Sequence, residues 1–264
     1  MATKSPTPLR LGIYCPPLTL FHPTNEDLDL ATIAKHSVRL TRAGLVGLIT
    51  LGSIPKAVHF SRSEKAAIAR MTGQALDEAG YTDVPMICKA AEQRSNLFAD
   101  LLNCAESNYR TAIDESRSEE SFVAVADESP VPILLHNYPG AVVGIDMDSD
   151  VIIRMAQDEN IVGTKLMCGN TGKLTRAART TDTWTSKKKR SGFKASGGMA
   201  DSTVQTWFSG GSGMVSEGTK VMPKIVVKGR LVNKERGTGD ESSAVEVLWF
   251  WEVMREDLCE WSAK

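Results

Sequence analysis

The feature that most constrains this chain is alternation. Short apolar runs take turns with segments of helical periodicity: "LRLGIYCPPLTLF", "LVGLITLGS", "VPMICKA", "VPILLHNYPG", "NIVGTKLM", "SGFKASGGM" and "GSGMVSEG" are separated by stretches such as "LDLATIAKHSVRLTRAG" and "SRSEKAAIARMTGQALDEAG". A strand that returns beside its predecessor in the same direction needs a crossover, and a helix is the usual one, so the pattern predicts an α/β fold with a parallel sheet. The number of strands over this length favours a closed TIM (β/α)8 barrel over an open doubly wound sheet. "LGIYCPP" stands where a dinucleotide-binding fold would carry G-x-G-x-x-G, and prolines cannot cradle a pyrophosphate as glycines do.

A single domain is expected, with a barrel over residues 9–236 and a Trp-rich amphipathic helix over 237–264. The first helix is expected to start at Thr24 or Asn25 and the second at Ser61 or Ser63, with Gly44 and Gly80 ending them.

Composition removes several function classes. A formal charge of -1 and 6% aromatic residues give neither the field nor the stacking surface of a nucleic-acid binder. The run "SKKKR" (186–190) lacks interleaved aromatics and reads as a solvated loop. No stretch approaches a membrane-spanning length, and Cys15, Cys88, Cys104, Cys168 and Cys259 show neither metal-ligand spacing nor an even disulfide count. A cytoplasmic protein without metal, nucleic-acid or membrane partners is the expectation.

Against this background Lys165 stands out, because it interrupts the apolar run "NIVGTKLM". A strand covered on both faces reads as nearly all Val, Ile and Leu, and desolvating an ammonium costs several kcal/mol. Burial disfavours the charged form and so supplies a neutral amine able to attack a ketone. Strand alternation predicts that Ile161, Gly163, Lys165 and Met167 share a face, with Gly163 leaving room for substrate beside the lysine. The alternative is a lysine near the strand end that extends to solvent.

"LLHNYPG" and "IVGTKLM", read together, resemble the dihydrodipicolinate synthase and N-acetylneuraminate lyase superfamily, particularly its 4-hydroxy-2-oxoglutarate and 2-keto-3-deoxy sugar-acid aldolase branch. The resemblance runs from Leu11 to Pro223, with an interruption between Ala90 and Val131. The family's Y-N-x-P and V-G-x-K motifs correspond to His136-Asn137-Tyr138-Pro139 and Val162-Gly163-Thr164-Lys165. The resemblance implies a lyase of the class I aldolase type acting on pyruvate-derived 2-oxo acids, or a dihydrodipicolinate synthase-like condensation. Lys165 would be the Schiff-base residue, with pyruvate and an aldehyde as small-molecule partners and no cofactor beyond the covalent imine. An iminium is an electron sink that lets carbon 3 lose a proton or break a C–C bond. Homo-oligomerisation is left open.

By the same resemblance, Ser53 and either His136 or Tyr138 would relay protons, and Gly52, Ile54, Gly198 and Val215 would line the bound keto acid. The chain also departs from the pattern. The carboxylate loop, G-[ST]-[TN]-G-E in the family, is Gly52-Ser53-Ile54-Pro55-Lys56 here, which loses a hydroxyl and an N–H donor and reverses a charge. His136 replaces the relay tyrosine, and Lys220 replaces an asparagine. Between "VPMICKA" and "VPILLHNYPG" lie only about forty residues without an evident strand, and "FVAVA" fits the following helix better. The barrel is therefore expected to be incomplete, missing its fourth strand and leaving only Tyr109 near the site, with a shortened C-terminal helical region. These departures support an alternative, a catalytically impaired barrel that binds a keto acid or partner without turnover. A phosphate-binding barrel using "GGSG" is a weaker third reading.

Overall fold

The computed structural model describes residues 9–52, 59–89, 111–114, 119–181, 192–224 and 226–227. Eight parallel strands close into a barrel in sequence order. They are β1 (Gly12–Cys15), β2 (Gly47–Thr50), β3 (Met86–Lys89), β4 (Thr111–Asp114), β5 (Ile133–Asn137), β6 (Ile161–Leu166), β7 (Lys194–Gly197) and β8 (Gly213–Val215). The helices are α1 (Leu30–Arg42), α2 (Arg62–Glu78), α3 (Glu119–Glu128), α4 (Ser149–Met155), α5 (Thr171–Thr180) and α6 (Thr203–Phe208).

The fourth strand, expected to be missing, is present. Thr111–Asp114 pairs with β3 through Ile87↔Thr111 and with β5 through Ala112↔Ile133, so the ring has no open edge. A strand flanked on both sides is held by its backbone N–H and C=O groups, and four residues suffice for that without a long apolar run. "FVAVA" lies in α3, in keeping with its pattern. The C-terminal helix over 237–264, the "SKKKR" run, Tyr109 and the boundary at 236 lie outside the described residues.

Local sequence explains most helix boundaries. The Ser61 side chain accepts from the Glu64 N–H while Glu64 returns a bond to the Ser61 backbone, a capping box that starts α2. The first helix starts later than expected. Asp29 caps it by accepting from the Thr32 N–H, and residues 22–28 form a turn closed by the Phe21↔Leu28 bridge. Gly44 and Gly80, at φ 98° and 83°, end α1 and α2 in the left-handed conformation that glycine adopts without penalty.

Alternation along the strands divides the core into layers. Tyr14, Ile49, Ile87, Leu134 and Val215 pack together inside the barrel. Ile133, Leu135, Ile161 and Leu166 face outward onto α3, α4 and α5 through Phe122, Ile152 and Leu174. Ile13, Cys15, Leu48 and Met86 do the same toward α1 and α2 through Ile33, Leu40 and Ile68. Cys15, Cys88 and Cys168 stand outside any disulfide among the described residues.

The expected common face of β6 is corrected by a bulge. Ile133 pairs with Ile161 but Leu134 pairs with Gly163, so Val162 is an extra residue on β6. Ile161 consequently joins the outer cluster, while Val162 packs toward the interior.

Candidate active site

Lys165 is the second-last residue of β6 and only 7% exposed. Its register partners are His136 on β5 and Ser196 on β7, which places three functional side chains side by side across adjacent strands. Directly paired residues have Cβ atoms about 5 Å apart, within reach of one small substrate. All three residues are buried near the carboxyl ends of their strands, the end where barrel enzymes carry their chemistry. Ser196 was not singled out from the sequence. The signal was its position three residues after Phe193 in a strand following V-G-x-K, but its partner became evident only from the register.

Tyr138 follows β5 and its ring lies over that of His136, with centroids 5.7 Å apart and an interplanar angle of 28°. The two candidate relays therefore form one stacked unit beside the lysine. Val215 closes β8, 2% exposed, inside the barrel. Gly198 is buried just beyond β7. A Cβ there would fall 2.7 Å from the Met167 Cα, so this position admits only glycine between the β7 and β6 ends.

Gly52, two residues beyond β2, is half-buried, whereas Ser53 and Ile54 lie outside the described residues. Leu51, immediately before Gly52, has φ 60° although it is not a glycine. Its side chain is held in the outer core, which is how a conformation costing about 1 kcal/mol or more persists where the loop leaves the strand.

Gly163 does not leave the open space expected from the sequence. A Cβ there would meet the Lys194 carbonyl oxygen at 2.5 Å and the Lys194 Cβ and Leu134 Cδ1 at 3.0 Å. Lys194, at the start of β7 and 3% exposed, is a second buried amine that sequence reasoning missed. Its ammonium donates to the Gly192 carbonyl at 2.6 Å, and burial pushes its pKa down to about 7. Asn137, between the two relays, points to the opposite side and is engaged by Asp146 and Met147. Among the described residues no group of His, Cys, Asp and Glu has a metal-holding arrangement.

The profile of the dihydrodipicolinate synthetase family matches residues 109–247. An L-threo-3-deoxy-hexylosonate aldolase of Hypocrea jecorina is 50% identical over 236 residues, covering 85% of this chain and 75% of the relative. The chain belongs to the dihydrodipicolinate synthetase family. A protein of Emericella nidulans, named as a probable mitochondrial 4-hydroxy-2-oxoglutarate aldolase, is 36% identical, covering 84% of this chain and 72% of its own length. Among solved structures, a putative dihydrodipicolinate synthase family protein from Coccidioides immitis superposes with a TM-score of 0.76 at 26% identity, covering 97% of this chain and 79% of that one.

As a member of this family the protein is a lyase. Class I aldolases of the family use no cofactor beyond a covalent imine between lysine and pyruvate. The expected cytoplasmic location is not carried by the relatives, one of which is named as mitochondrial. Among the described residues no helix is long and apolar enough to cross a membrane.

Proposed function

We propose that this protein is a class I aldolase that cleaves a six-carbon 2-keto-3-deoxy sugar acid through a Schiff base on Lys165. The observation that carries this is the inward-facing, buried Lys165 at the carboxyl end of β6, flanked in register by His136 and Ser196. The substrate class is suggested by the 50% and 45% identical relatives, both named L-threo-3-deoxy-hexylosonate aldolase.

In this mechanism the Lys165 amine attacks the carbon 2 ketone and water leaves, giving an iminium. A base within the stacked His136–Tyr138 unit takes the proton of the carbon 4 hydroxyl. The bond between carbons 3 and 4 breaks, its electron pair moves into the iminium as an enamine, and a three-carbon aldehyde departs. The enamine then takes a proton at carbon 3, and water returns pyruvate and the free lysine. Gly52, Ser53 and Ile54 hold the substrate carboxylate through the loop after β2, with Ser53 assisting proton transfer, while Gly198 and Val215 shape the keto-acid pocket. The same imine would serve 4-hydroxy-2-oxoglutarate cleavage or a condensation, since only the group beyond carbon 3 differs.

The test is intact-protein mass after incubation with pyruvate and borohydride, with peptide mapping and a Lys165→Ala control. A single reduced pyruvyl adduct on Lys165, together with aldehyde release from 3-deoxy-hexulosonates, is expected. No adduct on folded protein, or an adduct mapped to Lys194, overturns the assignment. An adduct without aldehyde release from any 2-keto-3-deoxy acid would favour the non-turnover alternative.

A further inference from the structure

The backbone and side chain of Asn137 tie together three segments that meet at the lysine. Its carbonyl oxygen accepts from the Met167 N–H at 3.0 Å, two residues beyond Lys165. Its side-chain oxygen accepts from the Met147 N–H at 3.1 Å, and its Nδ2 donates to Asp146 Oδ1 at 2.7 Å. The same Asp146 oxygen is paired with the ammonium of Lys173, which is 4% exposed in the first turn of α5. That turn is itself fixed by Asn170, whose side chain accepts from the Lys173 N–H at 2.8 Å. One half-exposed carboxylate thus joins the end of β5, the loop over residues 138–147 and the start of α5.

We infer that Asn137, Asp146 and Lys173 form a positioning clamp that sets the Tyr138–His136 relay against the Lys165 amine. The inference rests on Lys165 being the imine-forming residue. Tyr138 heads a loop whose two ends are bridged by the Asn137–Asp146 bond. That loop contains Val143, a β-branched residue at φ 58° and 89% exposed, so its side chain packs against nothing that could hold the backbone there. A strained conformer persists only where the surrounding structure over-determines it, and here the turn bonds from the Gly144 N–H to the Pro139 carbonyl at 2.8 Å and from the Ile145 N–H to the Val142 carbonyl at 3.2 Å, within a loop tied at its ends by Asn137 and Asp146, supply that constraint. Asp146 is a charged anchor for those ends. Burial alone would raise its carboxyl, but hydrogen bonds from Lys173 and Asn137 prevail and hold it below the usual carboxylate range. None of the three side chains faces the barrel interior from β5 or β6, so the clamp acts through the groups it places rather than on substrate.

The experiment compares two steps of the same site in wild type, Asn137→Ala, Asp146→Ala and Asp146→Asn. Imine formation is read as borohydride-trapped pyruvate on Lys165. Relay function is read as exchange of the pyruvate carbon 3 protons for deuterium, which needs the enamine to be protonated by a placed acid. A misplacement of about 1 Å can cost roughly 100-fold in rate. In both alanine variants the adduct should persist at wild-type stoichiometry, with exchange slowed about 10- to 100-fold. Asp146→Asn keeps an acceptor for Asn137 and should recover most of the exchange rate. Equal loss of adduct and exchange, unchanged exchange in folded variants, or no recovery in Asp146→Asn would each overturn the clamp. Absence of adduct in the wild type would instead overturn the Lys165 assignment, and the clamp with it.

Discussion

Gly163 lies opposite Lys194 in register, and the backbone oxygen and Cβ of Lys194 occupy the volume that a side chain at Gly163 would need. A lysine one residue before the end of β6 and another at the start of β7 therefore stand in successive layers of one barrel, the upper beside the relays and the lower over Gly192.

The first prediction concerns that contact. Gly163→Ala would press against the Lys194 backbone oxygen, which cannot rotate away, so the β6–β7 pairing must shift. Overpacking of this kind typically costs about 1–3 kcal/mol. Urea unfolding should show a loss of that size, and trapped pyruvate adduct at Lys165 should fall with it. A wild-type denaturation midpoint would mean that the strands accommodate the methyl group.

Lys194 itself should leave a signature in the pH dependence of stability. Its folded pKa is about 7, whereas the unfolded lysine titrates near about 10.4. Between those values the unfolded chain holds a proton that folded Lys194 lacks, so stability falls as pH drops through that interval and levels off below about 7. Lys194→Met removes the titrating group while keeping an unbranched stem. It should be more stable than wild type by roughly 2–4 kcal/mol at neutral pH and lose the slope between about pH 7 and 10. Parallel stability curves for the two proteins would refute this.

His36 provides a second, acidic-side signature. Burial, with Arg39 and Lys220 adding repulsion, pushes its pKa down to about 4. The Nε2 atom is buried and has no hydrogen-bond partner among the described residues, and the Arg39 guanidinium is committed to the Lys220 carbonyl at 2.9 Å. The folded state therefore refuses a proton that the unfolded chain accepts below about 6.5, and stability should decline from about pH 6.5 to 4 by on the order of 2 kcal/mol. Thermal melts of His36→Gln should show a shallower decline over the same range. An identical slope would assign the acid sensitivity to other groups.

The relay can be apportioned between its stacked members. General acid–base groups contribute about 10²–10⁴-fold, so removing the true relay should lower kcat by that order while leaving the Lys165 adduct intact. Steady-state kinetics of His136→Phe and Tyr138→Phe, side by side, identify the member that exchanges the proton. If both variants turn over at the wild-type rate, neither residue is the relay and Ser196→Ala becomes the next variant to measure.

Much of the architecture was legible because it rests on periodicity. The capping residue Ser61 and the apolar runs of β5 and β6 declare themselves within a few residues of sequence. β4 did not, since Thr111–Asp114 is held by backbone bonds to both neighbours and needs no apolar signature of its own. At the site, Lys165 was conspicuous as a charge in an apolar run, and the family motifs placed His136 and Tyr138 beside it. Ser196, Lys194 and the Asn137–Asp146–Lys173 cluster were not legible. Each depends on cross-strand register or on contacts up to 27 residues apart along the chain, between Asp146 and Lys173, which no local pattern encodes.

The extra residue Val162 carries a consequence for how this scaffold can change. Ile161 and Lys165 are four positions apart, which in a regular strand would turn them the same way; here one is anchored among the outer helices and the other opens into the lumen. Which way the amine points is thus a matter of parity, preserved because the supernumerary Val162 is taken up as a bulge. Deleting Val162 would leave Ile161 and Lys165 three positions apart and the amine still facing the lumen, whereas straightening the bulge with Val162 kept and Ile161 anchored would turn the nucleophile's back on its substrate.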